Sequence, residues 1–543
     1  MKQVIGQLIG LSIEGLQQGG LWPSFAAPAI EVTRPKSESF GDATTNVALI
    51  LAKLVGKSPM MIAEELKNDL LKRSQEDKDS FIESVTVAAP GYINFMFSQK
   101  YFNETVREIL QDKDAFGKSD IGGGKRVLVE FISANPTGPI HLGNARGGPS
   151  GDALAHVLEK SGYAVDREYY VNDFGNQVRV LGHSILKDGE AQYRGDYVDA
   201  LAKQLQTESF EKTPVAIGYW AAGHILESII KPTCEKAGVH FQNWFSEKSL
   251  HDNGDVDRVL ADLKEKDLAY EKEDALWFRS TLFGDDKDRV LMKSDESKSK
   301  TYTATDLAYH ENKLSRGYDV LINIQGADHL SQAAVVKRFV EEVLGAKDKL
   351  HLIVTQFVRI LKDGVEVKMS KRKGIYFAWD DLIEEVGKDA VRFIFTSYAP
   401  TSHINFDIDL AREQSNKNPV FYVQYAHARI SGILEKAKES GLEVEEAVVE
   451  NEGAMHEKEV ALIRELSLFP ELIEEIAQSY DVHTLPHYAI RLADKFHSFY
   501  NDCKVIDETD KETTASRLRL VAATRIVFAE TLRLIGVSAP DKM

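Results

Sequence analysis

The polarity pattern changes character twice along the chain, dividing it into three blocks. Up to about residue 105, amphipathic helical stretches mix with strand-like ones such as "FIESVTVAAPGYINFMF", where apolar residues alternate with polar ones. The polar link "QDKDAFGKSDIGGGK", ending in Gly122 to Gly124, marks the first boundary. From Lys125 to about Tyr398, short apolar runs alternate with helical patterns, which predicts a parallel α/β sheet. "KRVLVEFI" reads as its first buried strand, "YDVLINIQGADH" as a second and "HLIVTQFVRIL" as a third. An acidic, helical run from about 184 to 265 reads as an insertion, with no residues that suggest chemistry. Beyond about residue 399 the chain turns rich in Ala, Leu, Glu and Arg at helical spacing, which predicts an all-α helix bundle. No repeat of fixed period and no low-complexity tract interrupts the three blocks.

Composition narrows the class. A chain of 543 residues exceeds what one hydrophobic core organises, and 43% hydrophobic content with dispersed charge is that of a globular protein. A net charge of -18 disfavours indiscriminate attraction to polyanions and leaves room for a local basic face. Two cysteines, Cys234 and Cys503, make neither a disulfide framework nor a metal cluster. No apolar run is long enough to span a bilayer, and "MKQVIGQLIGLSIEG" lacks the pattern of a signal peptide. A cytoplasmic location is therefore expected, without membrane partners and without a dedicated metal site.

Two segments carry candidate chemistry. "SANPTGPIHLGNARGG", Ser133 to Gly148, follows the first strand and precedes the helical "NARGGPSGDALAHVLEK". His141 and the backbone amides after it thus sit at a strand-to-helix turn, where free N–H groups and the helix dipole favour phosphate. "VKMSKRKG", Val367 to Gly374, places Lys368, Lys371, Arg372 and Lys373 around Ser370 and before a glycine, as a mobile cationic loop would. A lysine-rich loop is ordinarily a solvated face, and a lone His near a helix start is ordinarily a cap or a packing residue. The pair is more telling, in this order and about 230 residues apart, both at strand exits of one sheet.

Together the two segments resemble the HIGH-type and KMSKS-type signatures of class I aminoacyl-tRNA synthetases. Ordered neighbours, among them "FGDATTNVALILAKLVGKSP", "REYYVNDFGNQV", "TYTATDLAYHENKL", "NPVFYVQYAHARI" and "GVSAPDKM", resemble arginyl-tRNA synthetases of bacterial type. The resemblance implies a Rossmann-like catalytic domain over 120–398. It also implies an N-terminal α+β domain over 1–105, touching the D-loop corner of tRNA, and a helical anticodon-binding domain over 399–543. It implies an ATP-dependent ligase, commonly a monomer, that activates L-arginine and transfers it to the terminal adenosine of tRNA(Arg), with Mg²⁺ accompanying the nucleotide. Residue by residue, it assigns His141, Asn144, Lys368 and Lys371 to catalysis. Pro136, Gly143, Asp328, His329, Met369 and Ser370 join His141, Asn144 and Lys371 around ATP.

The guanidinium group is planar, permanently charged and suited to bidentate acceptors, so choice of amino acid should come from carboxylates. The resemblance places Glu130, Ser133, Asn135, Tyr302 and Asp306 in that pocket. Tyr302 and Asp306, four apart, share a helical face. Asp328 and His329 end a strand, where a plain cap is the competing reading, and "YVNDFGNQV" reads as an Asx-capped helix start. For tRNA, Tyr425, His427, Arg429, Phe496, Tyr500 and Lys504 supply aromatics and cations able to stack bases and meet phosphates, and Asn46, in a "GDATTN" stretch that also reads as a plain turn and helix cap, is the N-terminal candidate. Aromatics at this spacing are also common in helix cores.

The one departure from the family pattern is Asn144, where a second His is usual. An amide still donates a hydrogen bond but cannot become cationic. Other class I synthetases, small-molecule nucleotidyltransferases and a non-catalytic tRNA-binding paralogue are the competing functions. The paired acids, the large helical block and the intact His141, Lys368 and Lys371 argue against them in turn.

Overall fold

The computed structural model describes residues 2–76, 80–294, 299–367, 377–442 and 454–543, which fall into two compact units. The first comprises 1–116, 433–468 and 494–527; the second comprises 117–432, 469–493 and 528–543.

In the first unit, an antiparallel sheet runs in the order Val32–Thr33, Ala43–Thr45, Tyr92–Phe97, Ile82–Ala88. Helices cover it because their apolar residues recur at helical spacing. Lys2–Gln18 buries Ile5, Ile9, Ile13 and Leu16, and Pro59–Glu76 buries Ile62, Leu66 and Leu70. The "GDATTN" turn leads into the helix Val47–Val55. Thr45, not Asn46, accepts the N–H of Val47 at 3.2 Å, and Asn46 Oδ1 is buried without a hydrogen-bond partner.

The second unit is built on five parallel strands: β1 (Arg126–Glu130), β2 (Ala164–Val171), β3 (Asn243–Ser246), β4 (Val320–Gly326) and β5 (Leu350–Thr355). Their spatial order is 5-4-1-2-3. Strand order therefore reverses between β1 and β4, the place where open α/β sheets hold ligands beyond the carboxyl ends of their strands. Val127, Leu128 and Val129 of β1 and Leu321 and Ile322 of β4 are fully buried, because both faces of the sheet are covered. The helices that shape the site are α1 (Leu142–Ala145), α2 (Gly147–Lys160), α3 (Asn176–Leu186), α4 (Glu247–Asp252), α5 (Tyr302–Ser315) and α6 (Leu330–Arg338).

Three local expectations need correction. The run "HLIVTQFVRIL" is two strands: β5 stops at Thr355, and Val358–Lys362 pairs with Ile404–Asp407 in a separate small sheet. The stretch 184–265 is not purely an insertion of helices, since β3 lies inside it and pairs with β2. In "YVNDFGNQV" the residue preceding α3 is Gly175, and Asp173 instead accepts from Ser246 Oγ at 2.6 Å and from Lys248 N at 2.9 Å. That aspartate ties the loop to the end of β3 and to the first turn of α4 rather than capping α3. The C-terminal chain is helical as expected, with Pro419–Glu439, Thr484–Asp502 and Lys511–Ile535 its longest members. No helix among the described residues is long and apolar enough to cross a membrane.

Candidate active site

The exit from β1 is strained. Ile132 and Ser133 hold φ of 68° and 43°, a left-handed conformation that is rare for a β-branched residue and costs of order 1–3 kcal/mol. Packing enforces it: a Cβ on Gly148 would come within 3.1 Å of the Ile132 side chain and 2.9 Å of Trp379, and one on Gly151 within 2.5 Å of the Phe131 ring. Glycine in α2 thus lets that helix press directly on the turn. Hydrogen bonds complete the hold. Ser133 Oγ donates to Glu130 Oε1 at 3.1 Å and accepts from the backbone N–H of Tyr170 at 3.1 Å, while Tyr169 Oη donates to the Ala134 carbonyl at 2.8 Å.

The chain then reaches His141 in extended conformation, at the residue that precedes α1. The His141 carbonyl accepts the N–H groups of Asn144 and Ala145, each at 3.0 Å, and its ring lies over Gly143. A Cβ at position 143 would sit 3.2 Å from that ring, which gives this glycine a steric reason. His141 also bridges to Ala378, and Trp379 N–H donates to the Ile140 carbonyl at 2.8 Å. Pro136 is buried beneath the turn, while Asn144 is half-buried. Lys368, Met369, Ser370 and Lys371 lie outside the described residues.

Beside the turn, at the switch point, a cleft is lined by Glu130, Tyr170, Asp306, Asn323, His329 and Gln332, among others. The two expected carboxylates therefore meet in space, although 176 residues separate them in the chain. Glu130 pairs with the Lys313 ammonium. Asp306, one turn into α5, accepts from the Gln332 amide. Burial pushes the Asp306 carboxyl up to about 7, helped by the charges of Glu130 and Glu247 and opposed by the Gln332 hydrogen bond and Lys313. Burial likewise holds His310, on the same helix, well below its ordinary range, so that it is a neutral imidazole.

Tyr302 and Asp306 diverge more than their spacing suggests. Tyr302, 47% exposed at the start of α5, stands beside Gln177, which accepts from the Asn135 amide. Tyr302, Gln177 and Asn135 thus form a second wall, on α3, α5 and the turn. Asp328 and His329 occupy a 3-10 turn after β4 with their side chains mostly exposed, 3.7 Å apart.

Several functional candidates escaped the sequence reading. Glu247, the first residue of α4, is buried, and burial raises its carboxyl above the ordinary range. Its Oε1 lies 3.9 Å from His251 Nε2, and its Oε2 is buried without a hydrogen-bond partner. Gln177, Lys313 and Gln332 complete the set. A signal existed only for Lys313, which stands seven residues, two helical turns, after Asp306 and hence on its face.

The tRNA candidates divide. Arg429 lies 4.7 Å over the Tyr425 ring and donates to its hydroxyl at 2.7 Å. Tyr500 is 40% exposed, and Lys504 is largely exposed, 3.4 Å from Asp507. His427 and Phe496 are corrections. His427 is buried and donates from Nδ1 to the Pro540 carbonyl at 2.9 Å, and Phe496 is fully buried. Both belong to helix packing, and burial removes them from reach of RNA.

The chain matches three family models: "Arginyl tRNA synthetase N terminal domain" over residues 5–97, "tRNA synthetases class I (R), catalytic domain" over 105–203 and "DALR anticodon binding domain" over 423–543. It is 41% identical to an arginine-tRNA ligase 1 of Halalkalibacterium halodurans, the alignment covering 100% of both chains. It is likewise 41% identical to an arginine-tRNA ligase of Bacillus subtilis, covering 100% of this chain and 99% of that one. Among solved structures, the arginyl-tRNA synthetase of Thermus thermophilus superposes with a TM-score of 0.77 over 100% of both chains, at 21% identity, where the fold is what is shared.

Proposed function

The chain belongs to the arginyl-tRNA synthetase family of class I, and on that premise we propose that the cleft between β1 and β4 holds L-arginine while the turn at His141 holds ATP. The enzyme is an ATP-dependent ligase that joins arginine to tRNA. The observation that carries the pocket assignment is the convergence of Glu130 and Asp306 on one cleft at the switch point. Acceptor groups from two carboxylates match a planar cation with five fixed donors.

In the first step, the arginine carboxylate attacks the α-phosphorus of ATP, the bond to the β-phosphate oxygen breaks, and pyrophosphate leaves. In the second, the 2′-hydroxyl of the terminal adenosine of tRNA(Arg) attacks the arginyl carbonyl, and AMP leaves. The protein aligns the reactants and offsets the charge that develops on the transferring phosphate. His141 donates to phosphate oxygens, bare Gly143 admits the adenine against the backbone, and Asn144 donates a neutral hydrogen bond to ribose or phosphate. Pro136, Asp328, His329, Met369 and Ser370 border the nucleotide. Lys368 and Lys371 neutralise the leaving pyrophosphate, contacts that strengthen as charge accumulates and so raise turnover. Mg²⁺ enters with the nucleotide phosphates.

Ser133, Asn135 and Tyr302 flank the amino acid. Residues 1–105 contact the D-loop corner. Residues 399–543 take the anticodon stem and loop, with Tyr425, Arg429, Tyr500 and Lys504 as contacts and Asn46 as the N-terminal one. The working state is a monomer.

The test is arginine-dependent exchange of labelled pyrophosphate into ATP, with and without tRNA(Arg), with lysine and citrulline as controls. Exchange restricted to arginine supports the reading. Absence of exchange in folded protein under both conditions overturns it and leaves RNA binding as the activity.

A further inference from the structure

Lys313 carries a charge where an apolar residue would be cheaper. Its side chain is fully buried, and burying an ammonium is costly unless it is paired and hydrogen-bonded. Here all three donors are directed. The ammonium pairs with Glu130 Oε2, donates to Asn323 Oδ1 at 2.9 Å and lies 4.3 Å from the centre of the Tyr309 ring. Glu130 and Asn323 are register partners across β1 and β4. Lys313 therefore pins both sides of the strand pair at which the sheet order reverses, at the floor of the cleft. The Asn323 amide passes the restraint on to His310 Nε2 at 2.9 Å.

On the other side of the carboxylate, Ser133 holds Oε1 from the strained turn. We infer that Lys313 is a positioning residue for the amino-acid substrate: with Ser133 it clamps both oxygens of Glu130, fixing the plane of the carboxylate and leaving only its outward lone pairs for the incoming cation. The inference rests on the assignment of this cleft to arginine. It separates the two acids by role. Glu130 is a pre-set acceptor whose direction is decided before the substrate arrives, whereas Asp306 is tethered through one oxygen alone, by Gln332.

The test is steady-state aminoacylation by the full chain with Lys313→Met, Glu130→Gln and the double variant. Lys313→Met is expected to raise the arginine KM by roughly tenfold or more, the size of coupling typical of residues in one network, with the ATP KM within about twofold of wild type. The double variant is expected to be no worse than the more impaired single one, because the clamp has nothing left to position. Should the Met variant fail to fold, Lys313→Gln, which keeps a donor for Asn323 and removes the charge, serves in its place. An arginine KM within twofold of wild type in a folded variant overturns the inference, as does a double variant whose losses multiply. If Glu130→Gln alone leaves the arginine KM unchanged, the pocket assignment itself fails. If Glu130→Gln raises it and Lys313→Met does not, only the role of Lys313 fails.

Discussion

Asp306→Asn separates charge from shape at the centre of the cleft. The amide oxygen still accepts from Gln332, so the wall of the pocket stays in place. What disappears is the ionised partner proposed for the substrate guanidinium. With the carboxyl at about 7, ionising it for the substrate at pH 7 costs only about RT ln 2, or 0.4 kcal/mol. A bidentate contact then contributes two charge-assisted hydrogen bonds of about 1.5–3 kcal/mol each, of which an amide keeps at most one neutral version. The net loss is about 2–4 kcal/mol, a fall of roughly 30- to 1,000-fold in kcat/KM for arginine. The assay is pyrophosphate exchange across an arginine series with tRNA(Arg) present.

Stability moves the opposite way. A carboxyl raised in the folded state, against about 3.9 when unfolded, stabilises the fold fully below pH 4, and that contribution is lost as pH rises through 7. At pH 8 the native protein carries a buried charge that Asn removes, so the variant gains up to about 4 kcal/mol in urea unfolding. By the same titration, wild-type arginine KM rises about tenfold per pH unit below 7. A variant with arginine kcat/KM within threefold of wild type and no added stability at pH 8 refutes the assignment.

Three further outcomes are expected. Gly143→Ala puts a methyl group 3.2 Å from the His141 ring, and in exchange assays it should lower kcat by about tenfold or more while arginine KM stays near wild type. Glu247→Gln should raise arginine KM by roughly tenfold or more, because the unpartnered Oε2 of a buried carboxylate close to Asp306 is an acceptor waiting for a cation; an unchanged KM makes that residue purely structural. Arg392→Met removes a buried guanidinium that donates to Asp152, to the Ile535 carbonyl and to the carbonyls of Ala237 and Gly238, and should cost about 3–5 kcal/mol in urea unfolding with arginine KM unaffected.

Much of the site was legible because its backbone signals are local. Apolar runs of strand length ending in polar residues located β1 and β4, and the Gly- and Pro-rich turn located His141 and Gly143. The identity of the two pocket acids followed from family resemblance, since an isolated Glu or Asp at a strand exit looks like any surface carboxylate. Their partners were hidden for a different reason. Gln177, Glu247 and Gln332 sit on helices whose sequence reveals which face is apolar but not which distant group that face will meet. β3 went unseen because four half-buried residues, Asn243 to Ser246, carry too little pattern. The break after Thr355 has no Gly or Pro to announce it. His427 and Phe496 show the ambiguity of aromatics at helical spacing, which packing resolved in favour of the core.

The reversal of strand order between β1 and β4 also sets when, during synthesis, the protein acquires its substrate site. Glu130 and the His141 turn leave the ribosome early, but Asp306, Lys313, Asn323 and Gln332 follow more than 160 residues later. A nascent chain of 300 residues holds β1, β2 and β3, three of the five strands, and lacks Asp306 and the whole of β4. If the cleft takes arginine as proposed, only a chain in which β4 has docked beside β1 offers the complete site. Because a ligand stabilises whatever state it binds, the cell's own arginine would favour the completed sheet over its half-built precursor.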